Sequence, residues 1–152
     1  EEAPAWEDAA WSDPVQLADG TILLDGSSVF LPDEVRDAQT QLAEARQAGH
    51  ITVHIAGSLA GEEAREDLDA LGRRTVRLNI NHLIVVGDDA RILHLAAEHE
   101  GSWDGESLHV SKTSRAYDEF QRLRGNAVVV LVTGSMTEPL GELVEQMKGE
   151  NA

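Results

Sequence analysis

No cysteine occurs anywhere in the chain, which excludes a disulfide framework and any thiolate metal site. That absence fits a reducing cytoplasm, the expected location. Cations are scarce: 12 Lys+Arg stand against 28 Asp+Glu, a formal charge of −16. Such a surface repels nucleic acid and anionic lipid, so neither is expected as a partner. No apolar run approaches the ~20 residues that a membrane helix needs. The first residues are acidic, the opposite of a secretory n-region. Two phosphate-binding signatures are also missing. There is no G-x-G-x-x-G after the first strand, and no G-x-x-x-x-G-K-[ST] anywhere. A phosphoryl-transfer enzyme needs the second loop and its Lys to neutralise charge.

What the chain does have is alternation. Ala127–Ser135 reads Ala-Val-Val-Val-Leu-Val-Thr-Gly-Ser, with six consecutive apolar residues and four β-branched ones. No polar residue interrupts them, as in a central parallel strand buried on both faces. Thr133, Gly134 and Ser135 turn the chain. A helix is then expected from Thr137, Glu138 or Pro139, with Leu140, Leu143, Val144 and Met147 on one face.

The same unit recurs upstream. Strands are expected at 21–25, 51–56, 83–86 and, more weakly, 108–110. Pro32 and Asp33 open a helix to Ala48, closed by Gly49. Glu62 begins the next, with Ala64, Leu68 and Leu71 inward. Asp88 or Asp89 caps a helix through Ala97, and Thr113 or Ser114 caps one that ends before Gly125. The 152 residues, 41% of them hydrophobic, suit one domain. The expected fold is α/β and Rossmann-like: a mostly parallel sheet of five to six strands with helices on both faces. Residues 1–19 read as an acidic arm anchored only by Trp6 and Trp11, residues 20–149 as the domain, and 150–152 as a tail.

Site chemistry is thinner. Ser58 directly follows Gly57, so Gly57–Gly61 is not the G-x-S-x-G nucleophile elbow. His94, Glu98 and His99 lack the H-E-x-x-H pattern and read as a solvated helix flank. His54 and His82 read as hydrogen-bonded edge or core residues. Ligands of open α/β sheets sit beyond the C-terminal strand ends, which picks out Asp25, Asp88, Thr133, Gly134 and Ser135. The helix starts after Gly87 and Gly134 would favour an anion. Ordinary turn and N-cap chemistry accounts for the same residues.

Three segments together resemble the Mur ligase family. Ile22–Val35 reads Ile-Leu-Leu-Asp-Gly-Ser-Ser-Val-Phe-Leu-Pro-Asp-Glu-Val and is similar to the family's I-I-D-D-S-Y-N-A-N-P-D-S-M. Val53–Gly72 lies without gaps on V-L-G-E-M-x-E-L-G followed by H-x-x-x-G, and Leu83–Gly87 resembles the following V-V-V-G. Val128–Ser135 is similar to V-L-V-K-G-S. The resemblance spans residues 20–148 and points to the C-terminal domain of the members that add D-alanyl-D-alanine to UDP-N-acetylmuramoyl-tripeptide.

It implies a three-domain, ATP-dependent amide ligase of peptidoglycan synthesis, whose central domain carries the phosphate loop and magnesium. The partners implied are therefore the N-terminal and central domains of a parent chain, or another protein. The missing initiator methionine and acidic start suit a piece of a longer protein. No cofactor is expected in this domain by itself, and ATP and magnesium enter only with an active parent.

The departures from the family letters carry the functional expectation. Asp25, Ser27, Pro32 and Asp33 are retained, as are Gly61, Gly72, Gly87 and Gly134. The family's second Asp falls on Gly26, its Tyr on Ser28 and its two Asn on Val29 and Leu31. Its Glu falls on Ala56, its His on Leu68 and its Lys on Thr133. Each lost polar partner typically costs ~1–3 kcal/mol of ligand binding. Asp25, Ser27, Gly134 and Ser135 are thus the remaining candidates for cofactor contact, and no residue is assigned to catalysis or to metal. Trp6, Trp11 and the run Val29, Phe30, Leu31 are the candidates for protein contact. Two readings stand: a non-catalytic interaction module, or a part of an active ligase.

Overall fold

The computed structural model describes residues 14–149. Its sheet has six strands in the order β1-β2-β6-β3-β4-β5. These are β1 (Val15–Gln16), β2 (Ile22–Gly26), β3 (Ile51–Ala56), β4 (His82–Val86), β5 (Glu106–Val110) and β6 (Val128–Thr133). Every pairing is parallel except β1 with β2. The helices are α1 (Pro32–Gln47), α2 (Ala64–Arg77), α3 (Arg91–His99), α4 (Thr113–Leu123) and α5 (Leu140–Gly149). This is the α/β, Rossmann-like, mostly parallel sheet expected from the alternation.

All six residues of β6 are buried, because the strand lies between β2 and β3 and is covered on both faces. Val128, Val130 and Val132 face α4 and α5, where they meet Phe120, Leu143, Val144 and Met147. Val129 and Leu131 face α1 and its Ala38, Leu42 and Ala45. Farther along the α1 side, α2 and α3 bring Leu68, Leu71 and Leu93 against Leu83 and Val85. Each such side chain contributes roughly 1.5–3 kcal/mol on full burial.

Helix ends follow local chemistry. After α1, the Gly49 amide bonds Arg46 O at 3.0 Å and the His50 amide bonds Ala45 O at 3.1 Å. That pattern requires a left-handed residue, and Gly49 has φ +101°. The end of α2 repeats it with Asn79 at φ +61°, which the sequence pattern did not single out.

Several expected boundaries move. Val15–Gln16, assigned to the 1–19 arm, pair with β2, and Leu17 is buried. Asp19 bonds Arg124 at 2.7 Å, so the folded unit begins before residue 20. Helix α2 starts at Ala64 rather than Glu62, and α5 at Leu140 after Pro139. Asp88–Ala90 form a 3-10 turn ahead of α3 with no side-chain cap. Thr113 is the first residue of α4, not its cap. Trp6, Trp11 and residues 150–152 lie outside the described residues.

Candidate functional site

Strands β2, β3 and β4 are followed by α1, α2 and α3 on one face, whereas β6 is followed by α5 on the other. Because β6 sits between β2 and β3, both flanks of its C-terminal end are switch points, the usual crevice of an open α/β sheet. Three loops line it, after β2, β3 and β6. Asp25 and Gly26 stand in register with Val132 and Thr133, so Asp25, Ser27, Gly134 and Ser135 come together here as expected.

Each of these groups is engaged by the protein itself. Asp25 Oδ1 accepts from the Ser27 amide at 3.0 Å and from Ser27 Oγ at 2.7 Å. Asp25 Oδ2 accepts from Lys148 Nζ at 3.1 Å. Burial pushes the Asp25 carboxyl up, but the Ser27 bonds and the Lys148 bond and charge outweigh it and hold the group below its usual range. The Gly134 amide donates to Val29 O at 2.7 Å. Ser135 Oγ lies 3.2 Å from Ser58 Oγ and accepts from the amides of Thr137 and Glu138 at 3.2 and 3.1 Å. The Met136 amide donates to Ser58 Oγ at 3.0 Å. Thr137 Oγ1 donates to the Asp89 carboxylate, tying the β4 and β6 loops together.

The approach between loops is close. A Cβ on Gly134 would stand 2.6 Å from Ser27 O, and one on Gly57 would stand 2.3 Å from Ser135 Cβ. Glycine is used at both positions because backbone meets backbone or a serine there.

The expected apolar run is only partly at the surface. Val29 is 4% exposed and belongs to the core, which removes it from any contact patch. Phe30 is half-buried, and its carbonyl accepts from the Ala60 amide. Leu31 is exposed at 48%, and Met136, on the neighbouring β6 loop, at 54%.

Beneath the mouth runs a fully buried polar chain, in which His54 is the hydrogen-bonded core residue expected, while its partners Gln39 and Thr75 were not singled out by sequence. Thr133 Oγ1 lies 3.0 Å from His54 Nε2, and His54 Nδ1 lies 3.2 Å from Gln39 Nε2. Gln39 Nε2 donates to Thr75 Oγ1 at 2.8 Å, and Thr75 donates to Leu71 O. Since Gln39 is the donor on one side, the chain assigns the His54 proton to Nε2, donating to Thr133. Burial pushes the imidazole down to about 3, so it is neutral. Gln39 Oε1 is buried without a partner. The signal was Gln39 itself, a polar residue between Val35 and Leu42 on the buried face of α1.

His94 is bonded to Ser107 Oγ at 2.6 Å and Glu98 at 3.1 Å, and stacks on His109. Among the described residues no cluster of three or more His, Cys, Asp or Glu side chains could hold a metal ion. No helix among them is long and apolar enough to cross a membrane.

No family model matches the chain. The chain is 29% identical to the UDP-N-acetylmuramoyl-tripeptide–D-alanyl-D-alanine ligase of Mycobacterium leprae over 150 residues, an alignment covering 89% of the chain and 29% of that ligase. It therefore spans under a third of that relative. Its fold matches a MurF ligase from Thermotoga maritima solved with ADP, with a TM-score of 0.69 at 13% identity, covering 91% of the chain and 30% of the ligase. A MurF from Acinetobacter baumannii gives a TM-score of 0.72 at 17% identity, covering 90% and 30%. In sequence the chain is similar to the Mur ligases that add D-alanyl-D-alanine, and its fold is that of part of the solved MurF ligases.

Proposed function

We propose that this Mur-ligase-type domain works through protein contacts and does not take up nucleotide at its strand mouth. The observation that carries this is the spent state of the mouth. The amides of Gly134, Met136, Thr137 and Glu138 all donate to protein acceptors. Lys148, the cation bonded there, is paired with Asp25. ATP needs free donors and positive charge, and the chain as a whole carries a formal charge of −16, so these residues do not fit it. The half-buried Phe30 with exposed Leu31 and Met136 supplies an apolar rim suited to a protein surface. Titration calorimetry with ATP and magnesium tests this. No heat of binding is expected, and micromolar affinity overturns the reading.

A second reading is favoured by one observation, that the chain spans 29% of its Mycobacterium leprae relative. On that reading it is the last domain of an active ATP-dependent ligase, completed by N-terminal and central domains. A G-x-x-x-x-G-K-[ST] loop encoded upstream, and ATP consumption by the full-length protein with a tripeptide precursor, would establish it.

A further inference from the structure

We infer that the β5 edge of the sheet is a homodimer interface, at which two copies of this chain pair antiparallel into one continuous sheet. Among the described residues, strand β5 is hydrogen-bonded to β4 only, at the end of the sheet order. The Glu106 amide donates to Asn81 O, and Val110 O accepts from the Gly87 amide. In a strand the polar groups of alternate residues point to opposite sides. Glu106, Leu108 and Val110 therefore aim theirs at β4, while Ser107 and His109 aim theirs away from the sheet. An uncovered row of this kind is a template for another strand.

The occupant is a second copy because the strand is complementary to itself. Antiparallel pairing must bring outward-pointing residues opposite one another. Centring the two-fold on Leu108 sets Ser107 against His109 of the second copy, and the reverse, each pair exchanging two N–H···O bonds. Leu108 then meets Leu108 of the second copy as a non-hydrogen-bonded pair, the closer kind, at about 4.5 Å between Cα atoms. Leu108 is a large apolar side chain exposed at 39%, and a surface cavity of about 440 Å³ lies beside it against Arg115, Asp118 and Glu119 of α4.

Charge agrees with that register. Glu106, the charged residue within β5, falls opposite Val110 rather than opposite its own copy. In the flanking segments exposed Asp104 falls opposite exposed Lys112 of the second copy, twice over. The helices also have room. Both α3 and α4 lie over β4 and β5. Two strand spacings of about 4.8 Å then separate α4 from its symmetry mate, within the roughly 8–10 Å of packed helices.

The test uses the chain as it stands, by sedimentation velocity at about 0.15 M salt, where the Debye length is about 8 Å. A concentration-dependent dimer is expected, with Leu108→Arg monomeric and still folded by circular dichroism. The cysteine-free sequence permits a second measurement. Leu108→Cys should oxidise to a covalent dimer, because about 4.5 Å between Cα atoms lies in the disulfide range. Leu31→Cys, exposed far from β5, should not. A wild-type monomer at roughly 100 µM, well above a low-micromolar Kd, overturns the inference and leaves the edge to an extended segment of another protein. A Leu108→Arg protein that remains a dimer, or a Leu108→Cys protein that cross-links no better than Leu31→Cys, also overturns it.

Discussion

Acidification should destabilise this protein at His54 well before its carboxylates titrate. His54 is fully buried, and burial holds its imidazole at about 3 against an ordinary value of 6.5. The sign follows from proton binding. Below pH 6.5 the unfolded chain takes up a proton that the folded chain refuses, so stability falls with pH and continues to fall until about pH 3. At about 1.36 kcal/mol per pH unit, the loss reaches about 2 kcal/mol at pH 5.0. For a chain of 152 residues that corresponds to about 4–8 °C in Tm. The assay is urea unfolding followed by circular dichroism at pH 7.5, 6.0 and 5.0, on the wild type and on His54→Gln. Gln can keep a hydrogen bond to Thr133 but does not titrate. The variant should start less stable at pH 7.5 and then decline less steeply. His82 and His94 are also held low by burial, so some slope remains in both proteins. Parallel pH profiles for the two would refute the assignment of the buried chain as the acid-sensitive element.

Two further substitutions probe the mouth. Gly134→Ala places a Cβ 2.6 Å from Ser27 O and 3.1 Å from Val29 O, and should cost about 1–3 kcal/mol, measured by denaturant titration. An unchanged midpoint would mean that the β2 and β6 loops are not packed together. Asp25→Asn removes the charge that holds Lys148 and should cost about 1 kcal/mol at neutral pH. Because the folded carboxyl is held below 3.8, that difference should be present above this value and fade as pH falls through the lower folded one. A cost that persists unchanged in acid would assign it to packing instead.

The fold was legible because its signals are local or periodic. The uninterrupted apolar run of 128–132 marks a strand covered on both faces. Gly49 marks a left-handed helix end, and the stripe Leu140, Leu143, Val144, Met147 marks the inner face of α5. Each needs only neighbours a few residues away. The short strand β1 escaped because two residues show no period, and it exists by pairing with β2 rather than by propensity. Asn79 escaped for a related reason: glycine usually takes that place.

The site was legible only in outline. Chain order and the crevice rule put Asp25, Ser27, Gly134 and Ser135 at one place, and the sheet brings them there. Whether those groups are open to a ligand depends on partners distant in sequence: Lys148 for Asp25, Val29 for the Gly134 amide, Ser58 for Ser135. Val29 reads as part of an exposed apolar run in sequence, yet the fold turns it into the core. The same holds for His54, whose bonds to Thr133 and Gln39 join three elements, and for the bare edge of β5. Sequence determines which residues are apolar, acidic or helix-ending, because those are properties of each residue and its near neighbours. Only the tertiary structure decides which polar groups are already satisfied and which strand edge is left unpaired among the described residues, because both are settled by contacts across the chain.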